Sequence, residues 1–177
     1  MVRSIVIPHD QARPAHVCEL ADLGAFQAAV DGSLEPLEIP TLDVIVYMNE
    51  GARRERRPLN VRATALWWYY SAVPTQFPLI LGDIVLAGIG HDADESSGDV
   101  PQMVEHQIFG SDRYLVQGTR ADERDTWRDT YACFDNLFDA ATWCTLFRAT
   151  MGRASYFRLA SDTELFNQRS LGGAWSW

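Results

Sequence analysis

Five arginines crowd into the stretch "RRERRPLNVR", at Arg53, Arg54, Arg56, Arg57 and Arg62, and Trp67, Trp68, Tyr69 and Tyr70 follow directly behind. Guanidinium groups pair with phosphates or carboxylates, and indoles stack on bases or fill interface pockets. Two chemistries therefore suggest themselves: a grip on nucleic acid, or a cationic tip that docks on an acidic protein surface. Helical spacing weighs against the first, because the aromatics fall a turn or more beyond the arginines. Three of the four are also needed to bury their own helix. A solvated loop, partly neutralised by Glu55, accounts for the same residues without any partner. Two further tryptophans, Trp175 and Trp177, close the chain and join Arg53–Arg57 and an outward Trp67 or Trp68 as candidate partner-binding residues.

Other constellations carry weaker chemistry. Gly88-Ile89-Gly90-x-x-Ala93 has the spacing of a dinucleotide fingerprint, but His91, Asp92, Asp94 and Glu95 follow where a helix N-terminus would have to meet phosphate. Asp92, Asp94 and Ser96 open a calcium-loop pattern that then lacks its glycine (Ser97) and its bidentate glutamate (Met103). His9, His16 and Cys18 lie close in sequence, yet zinc would need a fourth ligand from afar, such as His91 or His106. Cys133 and Cys144, eleven apart, read as packing residues on one helical face. Glu35 and Glu38 are carboxylates on one strand without a defined partner. No G-x-S-x-G, H-E-x-x-H or deaminase signature occurs. No catalytic residue, cofactor or metal ligand is assigned, and catalysis would need a site assembled from scattered residues.

Composition sets the bounds. The 177 residues are 47% hydrophobic and 11% aromatic, enough for a real core, with a formal charge of −9. All 15 basic residues are arginine, so Schiff-base lysines and lysine-bearing phosphate loops are excluded. An acidic chain with one basic cluster favours a protein partner or a local anion over broad capture of DNA. Three cysteines without C-x-x-C spacing fit a reducing, cytoplasmic setting. The apolar run in "MVRSIVIPHD" is too short for a signal peptide, and no stretch approaches the roughly 18 apolar residues of a membrane span.

The elements that must position these residues can be read in turn. "RSIVIPHD" (3–10) predicts a strand stopped by Pro8, and "AHVCEL" (15–20) a second. "DLGAFQAAVDG" (22–32) predicts a helix capped by Asp22 and ended by Gly32. Strands follow over 34–39 and 43–50, then a turn at Asn49-Glu50-Gly51 and a helix from Val61 to Tyr70 capped by Asn60. Residues 77–89 carry the strongest strand signal, with Gly82-Asp83 as a turn or bulge. Residues 90–101 read as an acidic loop and a boundary. Beyond it, 112–118 and 153–161 predict strands. Residues 122–150 predict the longest helix, from Trp127, Tyr131, Phe134, Phe138 and Ala141 stepping by four, three, four and three.

"AAVDGSLEPLEI", "VYMNEGARRERRPLNVRATAL" and "LILGDIVLAG" together resemble the phage- and plasmid-associated family known as domain of unknown function 3846. The matching positions are Val30, Gly32, Glu35, Asn49, Glu50, Asn60, Ala63, Gly82, Asp83, Val85 and Leu86. Its N-E-x-G turn occurs here in the shortened form Asn49-Glu50-Gly51. The resemblance covers roughly residues 2–90. The resemblance implies a small α/β module carried by mobile elements of actinobacteria and their phages; it implies no chemistry and supplies no catalytic residues.

The expected architecture is α+β: a small mixed or antiparallel sheet with packed helices, plus a C-terminal extension built on one long helix. The expected organisation is an N-terminal module (1–90), an acidic loop (91–101) and the extension (102–177). The expected role is that of an accessory protein of a phage or plasmid. It would bind a host protein with an acidic surface, without catalysis, in the cytoplasm of a bacterial host. Binding of nucleic acid or a phosphate ligand through the arginines is the alternative, and a second copy of the chain is a further candidate partner.

Overall fold

The computed structural model describes residues 1–71, 79–90, 97–110, 112–123, 126–151 and 155–162. The chain divides into two compact units, Met1–His106 and Gln107–Trp177. The fold class is α+β, and every strand pairing among the described residues is antiparallel.

The first unit is built on a sheet of order β2-β1-β5-β4-β3: β1 Val2–Ile7, β2 His16–Leu20, β3 Leu34–Ile39, β4 Val44–Asn49 and β5 Ile84–Ile89. The two-residue β6 (Ser97–Gly98) pairs with the end of β5. Alternation along each strand sorts the side chains. Val6, Leu20, Ile45, Tyr47, Val85 and Ala87 form one buried face with Phe26 and Val30 of α1 (Leu23–Val30). Phe26 meets Tyr47 edge to face at 5.3 Å. Ile5, Ile7, Val44, Val46, Ile84 and Leu86 occupy the other face and are buried as deeply. α2 (Val61–Tyr70) adds Ala63 and Leu66 to the buried set.

Helix ends follow capping chemistry. Asp22 accepts from Ala25 N–H at 2.9 Å, as its position predicts. The left-handed residue that ends α1 is Asp31 (φ 55°), not Gly32. Gly32 is demanded by proximity instead: a Cβ there would lie 2.4 Å from Nδ2 of Asn49. α2 begins and ends where the sequence predicts. Asn60, wholly buried, accepts from Ala63 N–H at 3.0 Å and donates to the carbonyls of Ile7 and Gly82, each at 2.9 Å. The strand predicted over 77–89 is shorter, β5 alone. Gly82 (φ 76°) breaks the extended run, and Leu81 makes only an isolated bridge to Leu59. Three elements were not anticipated in this part of the chain, a 3-10 turn at Pro40–Leu42, β6 and α3 (Gln102–Phe109). Val104 of α3 is buried, and Glu105 takes paired bonds from Arg3 at 2.8 and 2.9 Å.

In the second unit the single long helix over 122–150 is not formed. Residues Arg128–Phe134 are strand β8, and the helix is α4, Leu137–Thr150. Asn136 caps α4 through Asp139 N–H at 2.9 Å, which places the break. The sheet order is β8-β7-β9, with β7 Tyr114–Arg120 and β9 Ser155–Ser161. The aromatic stripe that suggested one helix points three ways. Trp127 lies under the Arg158 guanidinium at 4.3 Å, Tyr131 is 95% exposed in a bulged stretch with φ 65°, and Phe134 stacks on Trp143. Leu137, Ala140, Ala141 and Cys144 form the buried face of α4.

Because Asn60 satisfies two carbonyls and one N–H out of water, Asn60→Ala should cost about 3 kcal/mol. Urea unfolding should show a lower midpoint at unchanged slope. Asn60→Asp should be worse than alanine, since it keeps the cap but sets a carboxylate against two carbonyl oxygens.

Candidate functional site

The arginine loop is built from the end of β4. Asn49 is buried, and its Oδ1 accepts from Gly51 N–H at 2.7 Å while Nδ2 donates to the Asp31 carbonyl at 2.7 Å. Backbone bonds then close the turn: Ala52 N–H to Asn49, Glu55 N–H to Gly51, Arg56 N–H to Arg53 and Arg57 N–H to Ala52. Ala52 is buried beneath it. The loop is thus an internally bonded platform anchored on a strand end.

The five arginines part company on this platform. Arg57 turns inward, pairing Nη1 with Asp31 Oδ2 at 2.5 Å and Nε with Glu55 Oε2 at 3.0 Å. Arg62, in the first turn of α2, donates Nη2 to the carbonyls of Pro8, Asp10 and Arg13 at 2.6–3.0 Å. Burial lowers its pKa from the ordinary arginine value, and Asp10 and Asp83 oppose that shift. Both side chains hold the fold. Arg53, Arg54 and Arg56 are exposed and make no ion pair among the described residues. Arg56 is held at φ 56°, a left-handed conformation that costs a non-glycine residue on the order of 1–2 kcal/mol.

Of the aromatics, Trp67 and Trp68 are half-buried, and Trp67 Nε1 is enclosed away from solvent. Tyr69 and Tyr70 meet edge to face at 4.6 Å. Trp175 and Trp177 lie outside the described residues, as do Asp92, Asp94 and Ser96 of the calcium-like pattern. Among the described residues no three of His, Cys, Asp and Glu converge as a metal site.

The dinucleotide spacing has another cause. Gly88 sits inside an antiparallel sheet, and a Cβ there would come 2.2 Å from the Asp99 carbonyl oxygen. Glycine is required by a backbone crossing, not by a pyrophosphate. Cys133 and Cys144 belong to β8 and α4 rather than to one helix, and burial pushes the Cys144 thiol up to about 11, which leaves it inert. Glu35 and Glu38, an odd interval apart on β3, point to opposite faces. Among the described residues no helix is long and apolar enough to cross a membrane.

Sequence reasoning missed one charged cluster. Asp83 Oδ1 accepts from His9 N–H at 2.9 Å and lies 2.6 Å from His9 Nδ1, while Oδ2 takes Arg13 Nη1 at 3.3 Å. Burial alone would raise the Asp83 pKa, but the His9 bonds and the Arg13 charge outweigh it and hold the carboxyl below its ordinary value. A histidine oriented by a carboxylate is half of a general-base arrangement. Here the same bonds tie the segment after β1 to the turn before β5, so folding explains them. No local pattern could have signalled the pair, because its members are far apart in sequence.

Comparison with known families decides the affiliation. The family model described as Domain of unknown function (DUF3846) matches residues 2–110. The chain belongs to that family. No curated protein and no solved structure matches it. The match extends past residue 90, where the resemblance read from sequence ended, and takes in β6 and α3. Several family positions named from sequence prove to be fold-holding: Val30, Val85 and Leu86 in the core, Gly32 against Asn49, and Asn60 against Gly82 and the end of β1.

The depressed Asp83 pKa has a sign that can be tested. A carboxylate favoured in the folded state contributes stability above its unfolded pKa, near 3.8, and loses it as pH falls through the lower folded value. Asp83→Asn should therefore cost about 1–2 kcal/mol at neutral pH. Unfolding curves of variant and wild type should converge as the pH is lowered below 3.8.

Proposed function

We propose that this chain is a non-catalytic accessory protein of a phage or plasmid, and that it binds a host protein of acidic surface through Arg53, Arg54 and Arg56. The observation that supports this reading is the loop itself: three exposed cations on a bonded platform, one at a backbone conformation suited to glycine. Strain of this kind concentrates where a side chain is used. A preformed loop also loses little conformational freedom on binding. Arg57 braces the loop through Asp31 and Glu55, and Arg62 braces the segment after β1, so neither is offered as a contact. Stacking of bases is not supported, because Trp67 and Trp68 are half-buried and the Trp67 indole N–H is enclosed.

Beads carrying the wild-type chain should retain a protein from a bacterial host lysate that the Arg53→Ala/Arg54→Ala/Arg56→Ala variant does not. Equal retention by both would end the proposal. Binding of a DNA or RNA oligonucleotide that weakens along a steep log–log salt slope, and falls with the same variant, would replace it with the nucleic-acid reading. Arg56→Gly separates strain from use. It should raise stability by about 1 kcal/mol while weakening capture, as measured by urea unfolding and by the same beads.

A further inference from the structure

The two edges of the first sheet are not alike. In an antiparallel ladder each residue turns both backbone groups to one side, and its neighbours turn theirs to the other. Arg3 fixes the sense for β1. Its N–H goes to Asp99 Oδ1 and its carbonyl accepts from Val100 N–H, each at 2.8 Å, so neither group faces β2. Val2, Ser4 and Val6 therefore bond β2, through Leu20, Cys18 and His16. Val17 and Glu19, opposite Ile5 and Arg3, are left with N–H and C=O pointing outward. Neither has a further backbone partner among the described residues.

At the opposite edge, Glu50 N–H bonds Ser33 O at 2.9 Å, so this pair turns inward between β3 and β4. By alternation Leu34, Pro36 and Glu38 turn outward. Proline has no N–H, so the middle of β3 offers an added strand no donor. β2 contains no proline and its register against β1 is unbroken. One edge is blocked and the other is open.

We propose that β2 is a self-pairing edge, through which two copies of this chain join in one continuous antiparallel sheet about a twofold axis at Cys18. Outward groups at Val17 and Glu19 alone allow three twofold registers. Centring on Glu19 sets two carboxylates directly opposite each other, which is destabilising. Centring on Val17 brings Glu19 against Ala15, before the start of β2. Centring on Cys18 uses the whole strand: Val17 faces Glu19 of the second copy, Glu19 faces its Val17, and each pair exchanges both bonds. On the α1 side His16 then lies opposite Leu20, and Cys18 opposite Cys18. Leu20 and Cys18 already form the margin of that core, and the join extends it. Because Pro36 blocks β3, a head-to-tail contact of β2 on β3 cannot propagate, and the assembly closes at two. The arginine loop, at the end of β4, takes no part.

Sedimentation of the full chain should show a mass rising towards two chains with concentration, and Val17→Pro should hold it at one. That substitution removes an N–H that the fold does not use, and an unchanged urea midpoint checks this. A second readout needs no proline. In the paired form the two Cys18 Cα atoms lie about 4.5 Å apart, within disulfide reach. Diamide, which takes up two hydrogens as the S–S bond forms, should cross-link Cys133→Ala chains into dimers but not Cys18→Ala/Cys133→Ala chains. Cys144 is wholly buried and out of reach of a second chain. Should Val17→Pro lower the midpoint, the cross-link decides. Adding Arg53→Ala/Arg54→Ala/Arg56→Ala should leave mass and cross-link unchanged, so failure of the loop proposal and failure of this one are distinguishable. A single-chain mass at every concentration overturns the inference, as does a dimer that survives Val17→Pro. Cross-linking through Val17→Cys in a Cys18→Ala/Cys133→Ala chain, with none through Cys18, overturns the register. Loss of the dimer in the triple arginine variant moves the self-contact to the loop and overturns β2 as the edge.

Discussion

The first unit depends on one buried amide. Asn60 joins three pieces of backbone at one buried point: the end of β1 through Ile7, the turn before β5 through Gly82, and the first turn of α2 through Ala63. An asparagine amide offers two donors and an acceptor on a short stem, and all are used here. Aspartate has no donors, leucine has neither donors nor an acceptor, and glutamine is too long for the same geometry. The backbone of Asn60 adds a bond from its own N–H to Ile80 at 2.8 Å. Once this knot is tied, the direction of α2 is fixed, and with it the place of Arg62. That guanidinium then gathers the segment after β1 by three carbonyls, while Asp83 holds the same segment through His9 and Arg13.

A second asparagine repeats the logic at the other end of the loop. Asn49 caps the turn at Gly51 and reaches the carbonyl of Asp31, and Gly32 is bare because the amide fills the space a Cβ would need. Between these two amides lies the arginine loop, so its shape is set by its ends. Arg57 is drawn down by Asp31 and Glu55, leaving Arg53, Arg54 and Arg56 outside. The family positions are largely the supports. The residues left for recognition are those that the supports do not use.

How far the sequence could be read depended on whether its signals were local. α2 was legible to the residue, because its cap, its apolar spacing and its neighbours all lie within one short segment. β1 and its stop at Pro8 were legible for the same reason. The segment 122–150 was not. Its aromatic interval fits a helix, but residues 128–134 find a better arrangement against β7, where Gly118 pairs with Arg128 and Tyr114 with Phe134. Tyr131 shows the failure plainly: it fills a helical slot in the pattern, yet stands in solvent on a bulged strand. Gly88 is a similar case, since the carbonyl that excludes a side chain there belongs to Asp99, beyond the loop.

The sequence by itself determined the α+β class, the family, most strand positions in the first unit, and the existence of a cationic turn on an acidic chain. Those follow from periodicity, capping and turn chemistry, which act over a few residues. Tertiary structure decided which arginines are struts and which are exposed, and paired His9 with Asp83. Each of those depends on groups brought together across strands, and spacing along the chain carries no record of them.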